Sequence, residues 1–176
     1  MATTPTWDLP LPEDGQTPWG DDYRTAMTTI DERLNSIRGS LYAEDNQTPT
    51  VINTQGVAVP AVLDGVESGP PCRFCSVSST GILTYEGPLD RVPTAIATYT
   101  LQADANTTFA MEIRKNGTAV PGSRKRLRFG PNVTIATGGL VANVEMGAGD
   151  QLQVWVSNLT NTTNCTVLDL TLAARG

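Results

Sequence analysis

The chain has 176 residues and a formal net charge of −6, a length that allows one domain with a well-filled core and an extension. It contains no histidine, which excludes Ser-His-Asp hydrolases and most zinc sites. Its acidic balance disfavours a nucleic-acid-binding protein, and no apolar run approaches the roughly 20 residues that span a bilayer.

Residues 1–20 are acidic and Pro-rich. Proline opposes regular structure and tryptophan is costly to leave in water, so either a disordered tail or a docked extended peptide fits this composition. We interpret the segment as an extended anchor that binds another protein through its large apolar side chains, which are Trp7, Leu9, Leu11 and Trp19. The segment lacks the basic start and apolar core of a signal peptide, so we expect synthesis in a cytoplasm.

Residues 21–40 predict a short oligomerising helix. Asp21 and Asp22 suit a helix start, and Gly39 suits its end. Between them an apolar seam repeats at spacings of three and four residues, at Tyr23, Met27, Ile30, Leu34 and Ile37. Leu at a with Ile at d disfavours dimers relative to trimers or tetramers. The alternative is an amphipathic helix that packs on its own domain, since about two heptads cannot associate alone.

Residues 41–176 predict a β head. Alternating apolar residues indicate strands at residues 95–101, 107–113, 133–135, 140–146, 152–156 and 168–172, with weaker candidates at 50–53 and 82–85. Asn116-Gly117 suits a type I′ hairpin, Gly138-Gly139 suggests a break between strands, and residues 64–71 suggest a loop. About eight short strands at regular spacing predict an antiparallel sandwich of the jelly-roll kind.

Two clusters of chemically active side chains have ordinary structural explanations beside functional ones. Cys72 and Cys75 form a Cys-x-x-Cys pair that lacks the helical context of a redox motif and the second pair of a zinc site. They are explained as small core residues, or as a local disulfide in an oxidising environment.

A basic run stands out in this acidic chain, formed by Arg124, Lys125, Arg126 and Arg128. Strand alternation places the three arginines on one face, where they could bind a polyanion. The alternative is a solvated edge strand, on which charge prevents unwanted pairing.

No pattern predicts catalysis, a metal or a cofactor. Glycoside hydrolysis needs two carboxylates on one face, roughly 5–9 Å apart. The carboxylates of the head are scattered without a preferred pair, at Asp104, Glu112, Glu145, Asp150 and Asp169. We therefore expect a binding or structural protein and not an enzyme.

Several segments together carry a resemblance to known proteins. Residues 111–117, residues 146–156 and the last strand resemble the trimeric jelly roll of the tumour-necrosis-factor and complement type, which also forms the tips of phage fibres. Trp7-Asp8-Leu9-Pro10, Pro18-Trp19-Gly20 and Ile30-Asp31 resemble the virion-anchoring start of phage fibre and minor structural proteins. The resemblance implies a homotrimer on the virion surface with its head facing outward.

These observations favour a non-enzymatic phage virion protein, either a capsid decoration protein or a short head or tail fibre. Such a protein would contact other virion proteins through residues 1–20, and its head is a candidate for adhesion to host-surface glycans. The alternative is a soluble or secreted trimeric carbohydrate-binding module, against which the missing signal peptide argues.

Overall fold

In the computed structural model, the described residues are Thr25 and residues 37–176. Ile37–Gly176 form one compact unit, which we call the β-domain. The anchor residues and most of the helix seam lie outside the described residues; they are Trp7, Leu9, Leu11, Trp19, Tyr23, Met27, Ile30 and Leu34.

The β-domain contains twelve strands. In chain order they are β1 Arg38–Ala43, β2 Val59–Pro60, β3 Glu67–Arg73, β4 Cys75–Val77, β5 Leu83–Tyr85, β6 Thr94–Ala103, β7 Thr108–Lys115, β8 Thr118–Ala119, β9 Lys125–Arg128, β10 Ile135–Asn143, β11 Gln151–Asn158 and β12 Cys165–Arg175.

The strands form two antiparallel sheets. The five-stranded sheet has the order β10-β6-β12-β1-β3, and the seven-stranded sheet has the order β4-β5-β11-β7-β8, with β2 on β11 and β9 on β7. The chain crosses between the sheets at every connection except β4 to β5, β7 to β8 and β8 to β9. The predicted antiparallel jelly-roll sandwich is therefore confirmed.

The core lies between the two sheets and follows the period-2 pattern of the strands. The inward side chains of β7 and β11 are at most 1 % exposed, and they are Phe109, Met111, Ile113, Leu152, Val154 and Val156. From the opposite sheet, Leu41, Leu101 and Leu172 are fully buried against them. Each such side chain contributes about 1.5–3 kcal/mol by leaving water, so the alternating pattern accounts for the stability of the sandwich.

The predicted hairpin after β7 is confirmed. Asn116 and Gly117 have φ values of 49° and 77°, as both central residues of a type I′ turn require. Lys115 pairs with Thr118 across the turn.

The prediction that the helix ends at Gly39 is wrong. Ile37 is 1 % exposed in the core of the β-domain, and Gly39 lies within β1. A Cβ atom at Gly39 would lie 2.5 Å from the Sγ atom of Cys75, so this glycine allows close packing between β1 and β4. Ile37 continues the heptad spacing, but its apolar side chain packs in the core of the sandwich. The β-domain therefore begins at residue 37, four residues before the predicted start of the head at residue 41.

The predicted break at Gly138-Gly139 is also wrong, since β10 runs without interruption through both glycines. Gly138 lies opposite Tyr99 of β6, and a Cβ atom there would lie 2.5 Å from the Tyr99 hydroxyl oxygen. The glycine makes room for the buried tyrosine, which is a packing role.

Three smaller differences concern the strand pattern. A register shift between Val167 and Asp169 breaks the alternation of β12, so Val167 and Leu170 are buried while Leu168 is only partly so. The predicted loop at 64–71 is mostly strand, because β3 begins at Glu67. The weak strand at 50–53 is reduced to one isolated bridge, between Thr50 and Cys165.

Candidate functional site

The outer face of the five-stranded sheet, which we call the neutral face, is uncharged across its centre. Its charged residues lie toward the ends of the strands and on the β3 edge, and they are Arg38, Arg175, Asp169 and Glu67. Two rows of paired residues cross four strands of it. One row consists of Val141, Ile96, Ala173 and Ser40, and the other of Gly139, Thr98, Thr171 and Tyr42. Neither row contains a charged residue, which is unusual for a sheet surface that only contacts water.

Large aliphatic side chains are exposed on the strand at one edge of this face. Ile135 is 52 % exposed and Val141 is 57 % exposed, both on β10. Val133 precedes β10 and Val92 precedes β6, at opposite ends of this edge, and they are 42 % and 64 % exposed. Exposed aliphatic residues along an edge strand, beside uncharged rows, favour a surface that another protein covers.

A second surface lies on the outer face of the seven-stranded sheet. We call Arg124, Arg126 and Arg128, with the adjoining Lys125, the cationic patch. In β9, Arg126 pairs with Ala110 and Arg128 with Thr108, whereas Lys125 pairs with the inward-facing Met111. The register places Arg126 and Arg128 on one face, and Arg124 directly precedes the strand. Among residues 37–176, β9 pairs with β7 alone, as expected of an edge strand.

Glu112 lies beside the cationic patch and organises it. This carboxylate is 4 % exposed. Its Oε1 atom accepts from the Nε and Nη2 atoms of Arg114, each at 2.7 Å, and its Oε2 atom lies 3.7 Å from Nε of Arg124. This buried carboxylate holds the Arg114 guanidinium in place, while Arg124 is a more distant and half-exposed neighbour.

Trp155 completes this arrangement. It pairs with Glu112 across β11 and β7, and the Arg114 guanidinium lies 4.2 Å from the centre of its ring. The indole Nε1 donates to Oε1 of Gln153 at 3.1 Å. The ring is therefore fixed at its edge by a hydrogen bond and covered on one face by a cation.

Sequence reasoning found the run in β9 but missed Glu112, Arg114 and Trp155 as its neighbours. Only the alternation of β7 and β11, combined with their register, could have placed these three side chains together.

The charges of the β-domain are strongly segregated. Residues 105–144 contain six Lys or Arg and a single acidic residue, Glu112, whereas the rest of the β-domain contains four basic and ten acidic residues. Five of those six basic residues lie in or beside the cationic patch. A nearly neutral domain thus has a distinctly positive region on one sheet.

Asp150 joins the hairpin after β7 to the turn before β11. Its Oδ2 atom accepts from the Gly147 amide at 2.8 Å and from Lys115 Nζ at 3.2 Å, and its Oδ1 atom accepts from Asn116 Nδ2 at 2.6 Å. The Gly147 hydrogen bond is the largest cause that lowers the pKa of this carboxyl below its usual value. These contacts explain Asp150 as a structural residue of the turns.

The three cysteines are free thiols in this structure. Phe74, between Cys72 and Cys75, has a φ of 57°, and this kink separates β3 from β4. Burial raises the pKa of both Cys75 and Cys165 to about 12, so neither thiol is activated.

Among residues 37–176, no group of three or more Cys, Asp or Glu side chains is arranged to hold a metal ion. The same part of the chain contains no helix with the length and apolarity to cross a membrane.

No protein-family model and no curated protein matches this chain. Among solved structures, Eiger TNF from S. frugiperda is similar with a TM-score of 0.45 and 14 % identity, covering 80 % of this chain and 92 % of that one. PRD1 vertex protein P5 has a TM-score of 0.49 and 12 % identity, covering 80 % and 73 %. The globular domain of zebrafish complement 1qA has a TM-score of 0.44 and 10 % identity, covering 78 % and 94 %. At such identities these are similarities of fold.

Proposed function

We propose that this chain is a non-enzymatic structural protein of a phage particle, and that its β-domains associate as a homotrimer through the neutral face. The observation that carries the association is the pair of uncharged rows across β10, β6, β12 and β1, with Ile135 and Val141 exposed beside them. Covering these aliphatic side chains is favourable, and no charge in the rows would be desolvated.

The neutral face has the size that such an interface needs. With strands about 4.8 Å apart and about 3.4 Å per residue, five strands of six to eleven residues have an area on the order of 700 Å². A standard interface buries about 800 Å² on each partner. A closed ring of three subunits would leave no copy of the face uncovered.

The role in a phage particle rests on the sequence. Residues 1–20 combine acidic residues, prolines and two tryptophans, a composition suited to an extended peptide bound to a larger protein. The residues that follow have the spacing of a short helical seam, which would reinforce a trimer formed by the β-domains. In this proposal the N-terminal segment anchors the protein to a capsid or tail component, and the β-domain faces outward as a decoration or short fibre.

Two measurements test the proposal. Light scattering on the full chain should give the mass of three chains; a mass of one, two or four chains contradicts the trimer. A variant that lacks residues 1–20 should remain a folded oligomer but fail to join phage particles produced without the wild-type protein. Normal occupancy of the truncated protein on the particle would contradict the anchor.

A further inference from the structure

We propose that the cationic patch is a binding site for an anionic polysaccharide, one that carries sulfate or carboxylate groups. The site lies on the seven-stranded sheet, away from the neutral face, and does not depend on the oligomeric state. Its ligand-binding groups are the guanidinium groups of Arg124, Arg126 and Arg128.

The first argument is that these cations are exposed and lack sufficient acidic partners. Arg126 and Arg128 are exposed, and within residues 37–176 their side chains form no ion pair. Arg124 has a side chain that is 51 % exposed and only a 3.7 Å contact with Glu112. These cations are therefore available to an anionic ligand.

The second argument is that the edge of the patch is preorganised. Arg114 is fully engaged, because it bonds Glu112, donates from Nη1 to the Gly117 carbonyl at 3.0 Å and covers Trp155. It therefore acts as a positioning residue. By holding Glu112 in place, Arg114 keeps the acceptor of Arg124 fixed, and less side-chain freedom is lost on binding.

The third argument is spacing. Alternate residues of a strand are about 6.8 Å apart, which separates Arg126 from Arg128 on β9. Arg124 directly precedes the strand and lies near Glu112. A single small anion would contact only one or two of them. A linear polymer with repeated anionic groups can contact all three, and guanidinium groups bind sulfate and carboxylate through paired hydrogen bonds.

The surroundings favour a polysaccharide over a nucleic acid. Proteins that bind single strands offer aromatic rings on which bases stack. Here Arg114 already covers one face of Trp155, and the outward residues of β7 and β9 include no aromatic side chain.

The test uses the full chain, with heparin as a sulfated and alginate as a carboxylated probe, and neutral dextran as the negative control. Binding is measured by titration calorimetry at physiological ionic strength. The Arg126→Gln/Arg128→Gln variant should bind heparin about tenfold more weakly, because two charge-assisted contacts are lost. Both side chains are exposed, so the melting temperature should not change.

The matched control is Arg38→Gln/Arg175→Gln, which removes the same charge from the five-stranded sheet, where these two residues pair. This control should retain wild-type affinity. Equal losses in both variants would show a net-charge effect and overturn the site. Two further results would overturn the site. One is that neither heparin nor alginate binds, and the other is that duplex DNA binds the same arginines more tightly than heparin does.

Discussion

Ile135 and Val141 are the aliphatic side chains of β10 that the proposed trimer would cover. Replacing both with serine removes most of their apolar surface while leaving the strand pairing with β6 intact. Because both side chains face away from the core, with 52 % and 57 % exposure, the substitution should change association far more than folding.

The expected effect follows from the exposed fractions. Complete burial of Ile or Val is worth about 1.5–3 kcal/mol, and about half of each side chain is already covered within the monomer. Covering the remainder contributes about 1 kcal/mol per side chain, hence about 6 kcal/mol for six side chains in a trimer. The ratio of trimer to monomer varies with the square of the monomer concentration. The protein concentration at the midpoint of dissociation should therefore rise about 100-fold in the variant.

Sedimentation velocity over a dilution series would measure this midpoint. Val57→Ser/Val62→Ser is a suitable control, because these valines are 52 % and 40 % exposed but lie around β2, off the neutral face. An unchanged midpoint in the β10 variant, or an equal shift in the control, would refute the assignment of the interface.

Other substitutions test the fold itself. Gly39→Ala should lower the free energy of unfolding in urea by about 1–3 kcal/mol, because the new methyl group would overlap Cys75. An unchanged unfolding midpoint would show that β4 moves to accommodate the methyl group. Ser157→Ala should be neutral or stabilising by about 1 kcal/mol in the same assay, since the buried Oγ atom has no partner in the described part of the chain, and a clear loss would reveal a missed hydrogen bond. Asp150→Asn should cost about 1.5–3 kcal/mol at pH 7. The hydrogen bond from the Gly147 amide is the main cause that lowers the pKa of Asp150 in the folded protein. The stabilisation of the fold by the Asp150 carboxylate is therefore complete above the ordinary Asp pKa, and it is lost as the pH falls through the lowered pKa. Thermal melts should therefore show the wild-type advantage shrinking in acid, and a constant gap would contradict this.

Much of the fold could be predicted because alternation and turn chemistry are local signals. Strands β6, β7 and β11 were predicted from one apolar face each, and Asn116-Gly117 identified its turn. The errors arise where a tertiary contact determines the residue. Gly138 resembles a break but accommodates Tyr99, and the register shift in β12 moves the buried face from Leu168 to Val167.

The candidate sites were less predictable. The neutral face depends on which strands are neighbours, and no local pattern shows that Val141, Ile96 and Ala173 form one row. The basic run of β9 was visible, but its buried carboxylate was not, because Glu112 and Trp155 are paired only through the register of β7 and β11. The sequence shows which residues are charged, but the pairing between strands decides whether each charged side chain is neutralised by a neighbour or exposed to solvent.

The two ends of the β-domain emerge side by side. Arg38 pairs with Arg175, and the Gly176 amide donates to the Ile37 carbonyl at 3.2 Å. A protein fused after residue 176 would therefore leave next to Ile37, at the end of the β-domain opposite the loops at residues 104–107 and 159–164. Foreign peptides for display belong in those far loops, at residues 104–107 or 159–164, and a short linker between residues 176 and 37 would permit a circular permutant.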